Sequence, residues 1–498
     1  MSYAGRQLII RKDGVAIAGA RAKTVRFNNE AINVSHEEED GFRHLLGIID
    51  TRELVLGIEG VLSLPHVSQL IQPKLAGELI DVEVEFPDGY LIQTDGAYIQ
   101  DLQITGEYKN AVMFSASLVI SGAWTLPPDE PPILGSLYSW GSNGLAQSGA
   151  GTVTGFTAVP TLRVTNLLEE FADWSFVDSN SSVTLAIRDG QLYSCGSHLS
   201  GMTGVNLTSG FHTRLTRIAP EIDDWVWCST GYYCCFAIRS DGSLYSWGDN
   251  RSYITAQGTT SGITRVPTRV GSETGWSRAI NNNESAIAIK DGELYGWGRN
   301  YQNANAINVD VNVVTATQNP TAAFVTGAQE IMGIGIAAGA VLINGEIFTF
   351  GANNSGATCQ GTTSGITAPL AAAQAPLNVR FLGGKTRYGQ VPIIGPTGAI
   401  LGWGVSSLGN LALPNGTYTD TQLIDDSREW RRVEAGNIFM VALGADGRLY
   451  TAGYRNSGRT GDNVNDNTVK STLGAITEFD DWLYCRAGNG TGWAIRAA

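Results

Sequence analysis

SLYSWGDN, residues 243–250, is one of seven versions of a short phrase that runs through this chain. The others are SLYSWGSNG (136–144), QLYSCGSH (191–198), ELYGWGRN (293–300), EIFTFGANN (346–354), AILGWGVSS (399–407) and RLYTAGYRN (448–456). Each carries a glycine at one fixed place: Gly141, Gly196, Gly248, Gly298, Gly351, Gly404 and Gly453. Successive glycines lie 55, 52, 50, 53, 53 and 49 residues apart. A period near 50 residues means one supersecondary unit copied along or around an axis.

The phrase sits inside a larger plan. A tryptophan follows acidic or polar residues in FADWSFV, IDDWVWC, ETGWSRA, SREWRRV and FDDWLYC, giving Trp174, Trp225, Trp276, Trp430 and Trp482. A short strand such as LAIR, FAIR, IAIK or VALG comes next. A two-residue turn is then expected at Asp189-Gly190, Asp241-Gly242, Asp291-Gly292, Asn344-Gly345 and Asp446-Gly447. Strand, Asp-Gly, strand is the strongest short-range hairpin signal. Four such strands make one blade, and seven blades close into an all-β toroid, a β-propeller. The array opens on a phrase strand with no preceding AIR strand and ends on GWAIRAA, residues 492–498. The strand at Trp493–Arg496 should therefore pair with Leu137–Trp140 and leave no open seam.

The pattern, with its [LI]-[YF]-x-[WF]-G core, resembles the repeats of the regulator of chromosome condensation family over residues 134–498. The WG pair is intact at Trp140, Trp247, Trp297 and Trp403, while Cys195, Phe350 and Ala452 replace the tryptophan elsewhere. The repeats near 331–351 and 380–404 lack the Asp-Trp element, so those two blades should be degenerate. The nine tryptophans Trp140, Trp247, Trp297, Trp403, Trp174, Trp225, Trp276, Trp430 and Trp482 hold repeat positions expected to pack between blades. Only Trp124, Trp227 and Trp493 fall outside those positions. A ligand surface would therefore lie on variable loops such as 142–159, 251–266, 299–319, 352–368 and 405–420.

The chain divides at TLPPDEPPI, residues 125–133, where Pro127, Pro128, Pro131 and Pro132 make a stiff linker. Residues 1–130 hold 10 basic and 19 acidic residues, a net of −9, against −14 for all 498 residues. This balance argues against coating nucleic acid, which needs a basic face. The N-terminus MSYAGRQLIIRKDGV has no apolar signal-peptide core, so signal-directed export is not expected.

Residues 1–124 read as strands. Alternation at 81–86 puts Val82, Val84 and Phe86 on one face, and 112–120 repeats the pattern. Turns are expected at Asp13-Gly14, Asp88-Gly89 and Asp95-Gly96, and short helices around Gly41–Leu46 and Pro65–Ile71. A small β-sandwich or barrel with flanking helices follows. GRQLIIRKDG, then VRFNNEAINVSHEEEDGFRHLL, then RELVLGIEGVLS, then ITGEYKNAVMFSASLVISGAW together resemble the major tail tube protein of long-tailed, non-contractile bacteriophages. That resemblance implies a self-assembling subunit of the virion tail, made in the bacterial host cytoplasm. It implies hexameric rings stacked into a tube, tape measure and tail terminator proteins as partners, and genomic DNA passing without specific binding. The acidic run Glu37, Glu38, Glu39 and Asp40 lies where the family has a long loop, so it is a candidate for inter-ring or lumen contact or for a solvated loop.

No catalytic constellation occurs. Five histidines (His36, His44, His66, His198 and His212) lack metal-ligand spacing, and there is no phosphate loop, nucleophile elbow or HExxH. Asp223-Asp224 and Asp480-Asp481 recur before the repeat tryptophan and are assigned a turn role. Cys228 and Cys485 share a repeat place with Val177, Ala279 and Val433, a small buried apolar site. No enzyme, cofactor or metal is expected. The domain plan is a tail tube domain at 1–124, a linker at 125–133 and a propeller at 134–498. The propeller is expected as an external decoration that contacts host surface glycans. The rival readings are a stand-alone propeller lectin or adhesin and, more remotely, a nucleotide exchange factor.

Overall fold

The computed structural model describes the backbone of nine strands between residues 9 and 125. From 134 to 497 it describes all but 154, 163–170, 181, 260–261, 301–312, 319–327, 336–337, 344, 354, 364, 366–369, 373 and 384–388. The chain forms two compact units, Met1–Pro132 and Ile133–Ala498.

The first unit holds β1 (Ile9–Lys12), β2 (Val15–Ala16), β3 (Ala20–Asn33), β4 (Leu45–Val61), β5 (Val82–Glu85), β6 (Leu91–Thr94), β7 (Ala97–Tyr108), β8 (Ala111–Ile120) and β9 (Trp124–Thr125). They form two sheets, ordered β2-β1-β5-β6-β9 and β3-β4-β8-β7. Val82–Glu85 of the alternating segment at 81–86 form β5, its two ends lying outside the described residues, and the segment at 112–120 falls on β8. Lys12 pairs with Val15, on either side of Asp13-Gly14, which lies outside the described residues. The flanking strands β6 and β7 lie in different sheets, and Asp95-Gly96 itself lies outside the described residues. Of the two expected helices, Pro65–Ile71 lies outside the described residues. So does most of Gly41–Leu46, but Leu45 and Leu46 open β4 instead of closing a helix.

The second unit is a seven-bladed propeller, with seven antiparallel four-stranded sheets. Blade 2 shows the plan: an inner strand Trp174–Ser179, then Val183–Arg188, the phrase strand Gln191–Ser197, and an outer strand Phe211–Ile218. Inner strands of neighbouring blades touch all the way round, which closes the ring. Blade 1 is composite. Its inner pair, Trp482–Ala487 and Thr491–Arg496, comes from the C-terminal end, and Ser136–Ser142 and Phe156–Leu162 come from the other. Leu137 pairs with Ile495 and Trp140 with Gly492 across this junction. Helical structure among the described residues is limited to short 3-10 turns such as Arg251–Tyr253 and Asn456–Gly458.

The anchoring glycine has a local cause. At six of the seven phrase strands the pairing register with the outer strand slips at this point, a β-bulge. The glycine φ values run from 90° to 125°, a region closed to most side chains. At Gly404 an added Cβ would sit 1.9 Å from the carbonyl oxygen of Gly389.

The hairpin turns differ from the uniform two-residue plan. Arg188 pairs with Gln191, and Asp189 and Gly190 both have positive φ, as do Asp291 and Gly292. This is the twist that two-residue hairpins require. At 241–242 and 446–447 only the glycine has positive φ. There the loops hold three residues, closed by Arg239 N–H to Ser243 O (3.1 Å) and Gly444 N–H to Arg448 O (3.1 Å). One extra residue before the Asp-Gly pair accounts for the change of turn.

Candidate functional site

Two features concentrate the structural information: the long strands of the first unit and the ring of blade junctions in the second. In the first unit β3 pairs with β4 from Ala20↔Gly60 to Asn33↔Leu45. β8 pairs only with the Leu54–Val61 part of β4. Residues 28–33 and 45–53 therefore continue as a two-stranded ribbon past the pairing with β8. Glu37, Glu38, Glu39 and Asp40 belong to the connection between these strands and lie outside the described residues. β3 (14 residues) and β7 (12 residues) are the edges of their sheet.

In the propeller each blade bolts onto the one before it. The backbone N–H of Trp174, Trp225, Trp276, Trp430 and Trp482 donates to Gly135, Gly190, Gly242, Gly398 and Gly447 at 2.9–3.0 Å. Ala328 and Val379 make the same bond to Gly292 and Gly345 at 2.9 and 3.0 Å. These two residues fill the place where the sequence lacks its tryptophan, so the degenerate blades keep the junction and lose only the ring. The five tryptophans pack edge-to-face on Tyr193, Tyr245, Tyr295, Tyr450 and Tyr138, with centroids 5.0–5.1 Å apart.

The acid before the tryptophan also has a partner. Asp173 accepts from Arg188 (2.5 Å), Asp224 from Arg239 (2.7 Å) and Asp481 from Arg496 (2.6 Å). Hydrogen bonding from Arg239 holds the Asp224 carboxyl below the usual range, and Arg496 does the same to Asp481. The acidic member next to each of these three tryptophans is thus an ion-pair clamp on the end of the AIR strand.

The WG tryptophans reach further. Trp140, Trp247, Trp297 and Trp403 are fully buried, and their Nε1 groups donate to Arg459 O (3.0 Å), Met202 O (2.7 Å), Ile254 O (2.7 Å) and Ala357 O (2.9 Å). Each acceptor lies in the loop of the preceding blade. Cys195, at a tryptophan place, sends its thiol to the equivalent Gln147 O (3.7 Å). All six cysteines are buried; adjacent Cys234 and Cys235 reach two different loops, at Ile254 O and Met202 O. Trp227 and Trp493, outside the two repeat positions, are buried as well. In the repeated GTTSGIT, Thr259 and Thr362 brace their loops. Their carbonyls accept from the Asn250 and Asn353 side chains at 2.9 and 2.8 Å.

Sequence reading missed the lining of the ring axis. Two residues beyond each tryptophan place stand Phe176, Trp227, Arg278, Glu330, Phe381, Arg432 and Tyr484. They meet as neighbours: Phe176 with Trp227 and Tyr484, Arg278 with Glu330, and Arg432 with Phe381 and Tyr484. Four residues beyond the tryptophan lie Asp178, Glu434 and Arg486, all buried. Burial alone would lower the Arg486 guanidinium, but Asp178 and Glu434 outweigh it and hold it well above its usual range. The signal was available in DWSFVD, EWRRVE and DWLYCR, aligned on their tryptophans. No cluster of three or more metal-ligating side chains occurs among the described residues. No described helix is long and apolar enough to cross a membrane.

Residues 8–126 match the family model of the phage tail tube protein. That match lies within the N-terminal unit and spans about a quarter of the chain. The tail of a gene transfer agent particle, computed with C6 symmetry, is 26% identical over 26% of this chain and 100% of that one, with a TM-score of 0.22. The propeller resembles yeast RCC1 (Prp20), at 15% identity over 74% of this chain and 90% of that chain, with a TM-score of 0.63. That likeness is one of fold. Human E3 ubiquitin-protein ligase HERC2 is 28% identical over 181 residues, 35% of this chain. The match spans 4% of HERC2, so this chain covers only a small part of the curated relatives' length.

Proposed function

We propose that this chain is a major tail tube subunit, forming stacked hexameric rings around a DNA conduit and carrying its propeller on the outside. The observation that carries this reading is the family match over residues 8–126. The backbone supports it. A long unpaired edge is a template for pairing with another chain, and monomeric proteins keep such edges short. β3 and β7 are long edges, and the β3–β4 ribbon offers a second surface of the same kind. The net of −9 in residues 1–130 suits a conduit wall that must not hold phosphate. Glu37–Asp40 are assigned to contact between rings or to the lumen.

A compact unit of 365 residues has a radius of gyration of about 21 Å. That is too bulky for a lumen sized to one duplex, so the propeller belongs outside the tube. All propeller tryptophans are buried, so none offers a ring face to a sugar. Contact with host glycans would fall to the polar loops, where many weak contacts per tube add up through avidity. Tape measure and tail terminator proteins are the further partners in this account, and the virion tail is its place. Deleting 125–498 in the producing particle tests the division of labour. Tubes should still form and adsorption should drop; unchanged adsorption would reduce the propeller to shielding.

A further inference from the structure

The composite blade carries a buried charge network that ties it to both neighbours. Arg486 stands on the inner strand of blade 1, which comes from the C-terminal end of the array. Its Nε donates to Asp178 Oδ1 of blade 2 at 2.5 Å. Its Nη1 donates to both carboxylate oxygens of Glu434 in blade 7, at 2.9 and 3.0 Å. Asp178 Oδ2 also accepts the backbone N–H (2.6 Å) and hydroxyl (2.9 Å) of Thr230 in blade 3. Arg432 of blade 7 completes the group, 2.8 Å from Glu434 Oε1, with Nη2 donating to the Tyr484 hydroxyl at 3.2 Å. Four consecutive blades are joined, and the composite one lies among them. Arg278–Glu330, between blades 4 and 5, is longer (3.4 Å) and about a third exposed.

Such a network adds little net stability over an apolar filling, but removing one member strands the others. With the hairpin docked but Arg486 not seated between them, Asp178, Glu434 and Arg432 would hold a net negative charge in a place that the closed ring buries. A half-docked C-terminal hairpin is therefore penalised, and a fully docked one is not.

We propose that Arg486 is the latch of the propeller: its insertion between Asp178 and Glu434 makes docking of the C-terminal hairpin, 482–496, an all-or-none step that closes the ring. The inference does not depend on the tail reading.

Hydrogen exchange of the full chain, followed by mass spectrometry, tests it. With Arg486→Met, exchange at 482–496 and 136–142 should rise by roughly 10-fold or more as a local opening. Exchange at 276–298 in blade 4 should stay at the wild-type rate. An equal rise in every blade, or no rise at 482–496, overturns the latch. If Arg486→Met does not fold, Asp178→Asn, which keeps the shape and removes one charge, should give the same pattern more weakly. Combining Arg486→Met with Asp178→Asn leaves Arg432 and Glu434 as a neutral pair and should recover part of the protection. No recovery would mean that Arg486 acts by packing alone and would also overturn the proposal.

Discussion

The indole N–H of Trp403 donates to the carbonyl of Ala357, 46 residues earlier, at 2.9 Å. The bond runs from a phrase strand of blade 6 to the loop of blade 5. It is one of the bonds that turn seven separate sheets into a single ring. The same loop is held from its own blade, where the Thr349 hydroxyl donates to Thr358 O at 2.8 Å.

Trp403→Phe keeps most of the apolar bulk and leaves Ala357 O without that donor. It should lower stability by about 1–2 kcal/mol. Trp403→Ala should cost about 3–5 kcal/mol, because it also opens a cavity. Calorimetric unfolding of both variants separates the bond from the bulk; no loss for Trp403→Phe would show that the bond contributes nothing.

Gly404→Ala meets both a φ of 91° and a carbonyl 1.9 Å from its new Cβ. It should cost at least about 3 kcal/mol. Gly258 also has positive φ, 69°, but open space around it. Gly258→Ala should cost about 1–2 kcal/mol, the backbone strain alone. Comparable melting temperatures for the two variants would contradict the close-approach explanation of the repeat glycine.

Acid should weaken the propeller at blade 2. Burial, helped by the neighbouring His198, pushes the His212 imidazole down to about 4 from 6.5. Between those values the unfolded chain binds the proton and the folded chain does not. Stability from this group is therefore complete above roughly pH 7 and falls as the pH drops toward 4. His198, 4.6 Å away in an edge-to-face contact, is lowered by burial too and acts in the same direction. Melting curves across this range should be flatter for His212→Gln than for wild type; identical slopes would remove the histidine from the account.

The sequence made the propeller legible because its punctuation is steric. A glycine forced by a bulge, an Asp-Gly hairpin and a buried indole each leave a fixed letter at a fixed spacing. Backbone junctions leave no letter, so Ala328 and Val379 keep the bonds to Gly292 and Gly345 although the tryptophan has gone. The three-residue turns at 240–242 and 445–447 were missed because one inserted residue changes the turn while the Asp-Gly pair remains. Asp178, Glu434 and Arg486 were missed for a different reason. Each is an ordinary charge in its own repeat, and only closure of the ring brings blades 7, 1 and 2 together. In the first unit the alternation of β5 and β8 was readable, and the length of the β3–β4 pairing was not, since its far half alternates poorly.

The central claim is that this chain builds a tube. Negative-stain electron microscopy of the purified full-length chain, concentrated stepwise, tests it most directly. The account predicts rings and stacked tubes of constant diameter with added mass on their outer surface. Monodisperse single propellers at every concentration would contradict it.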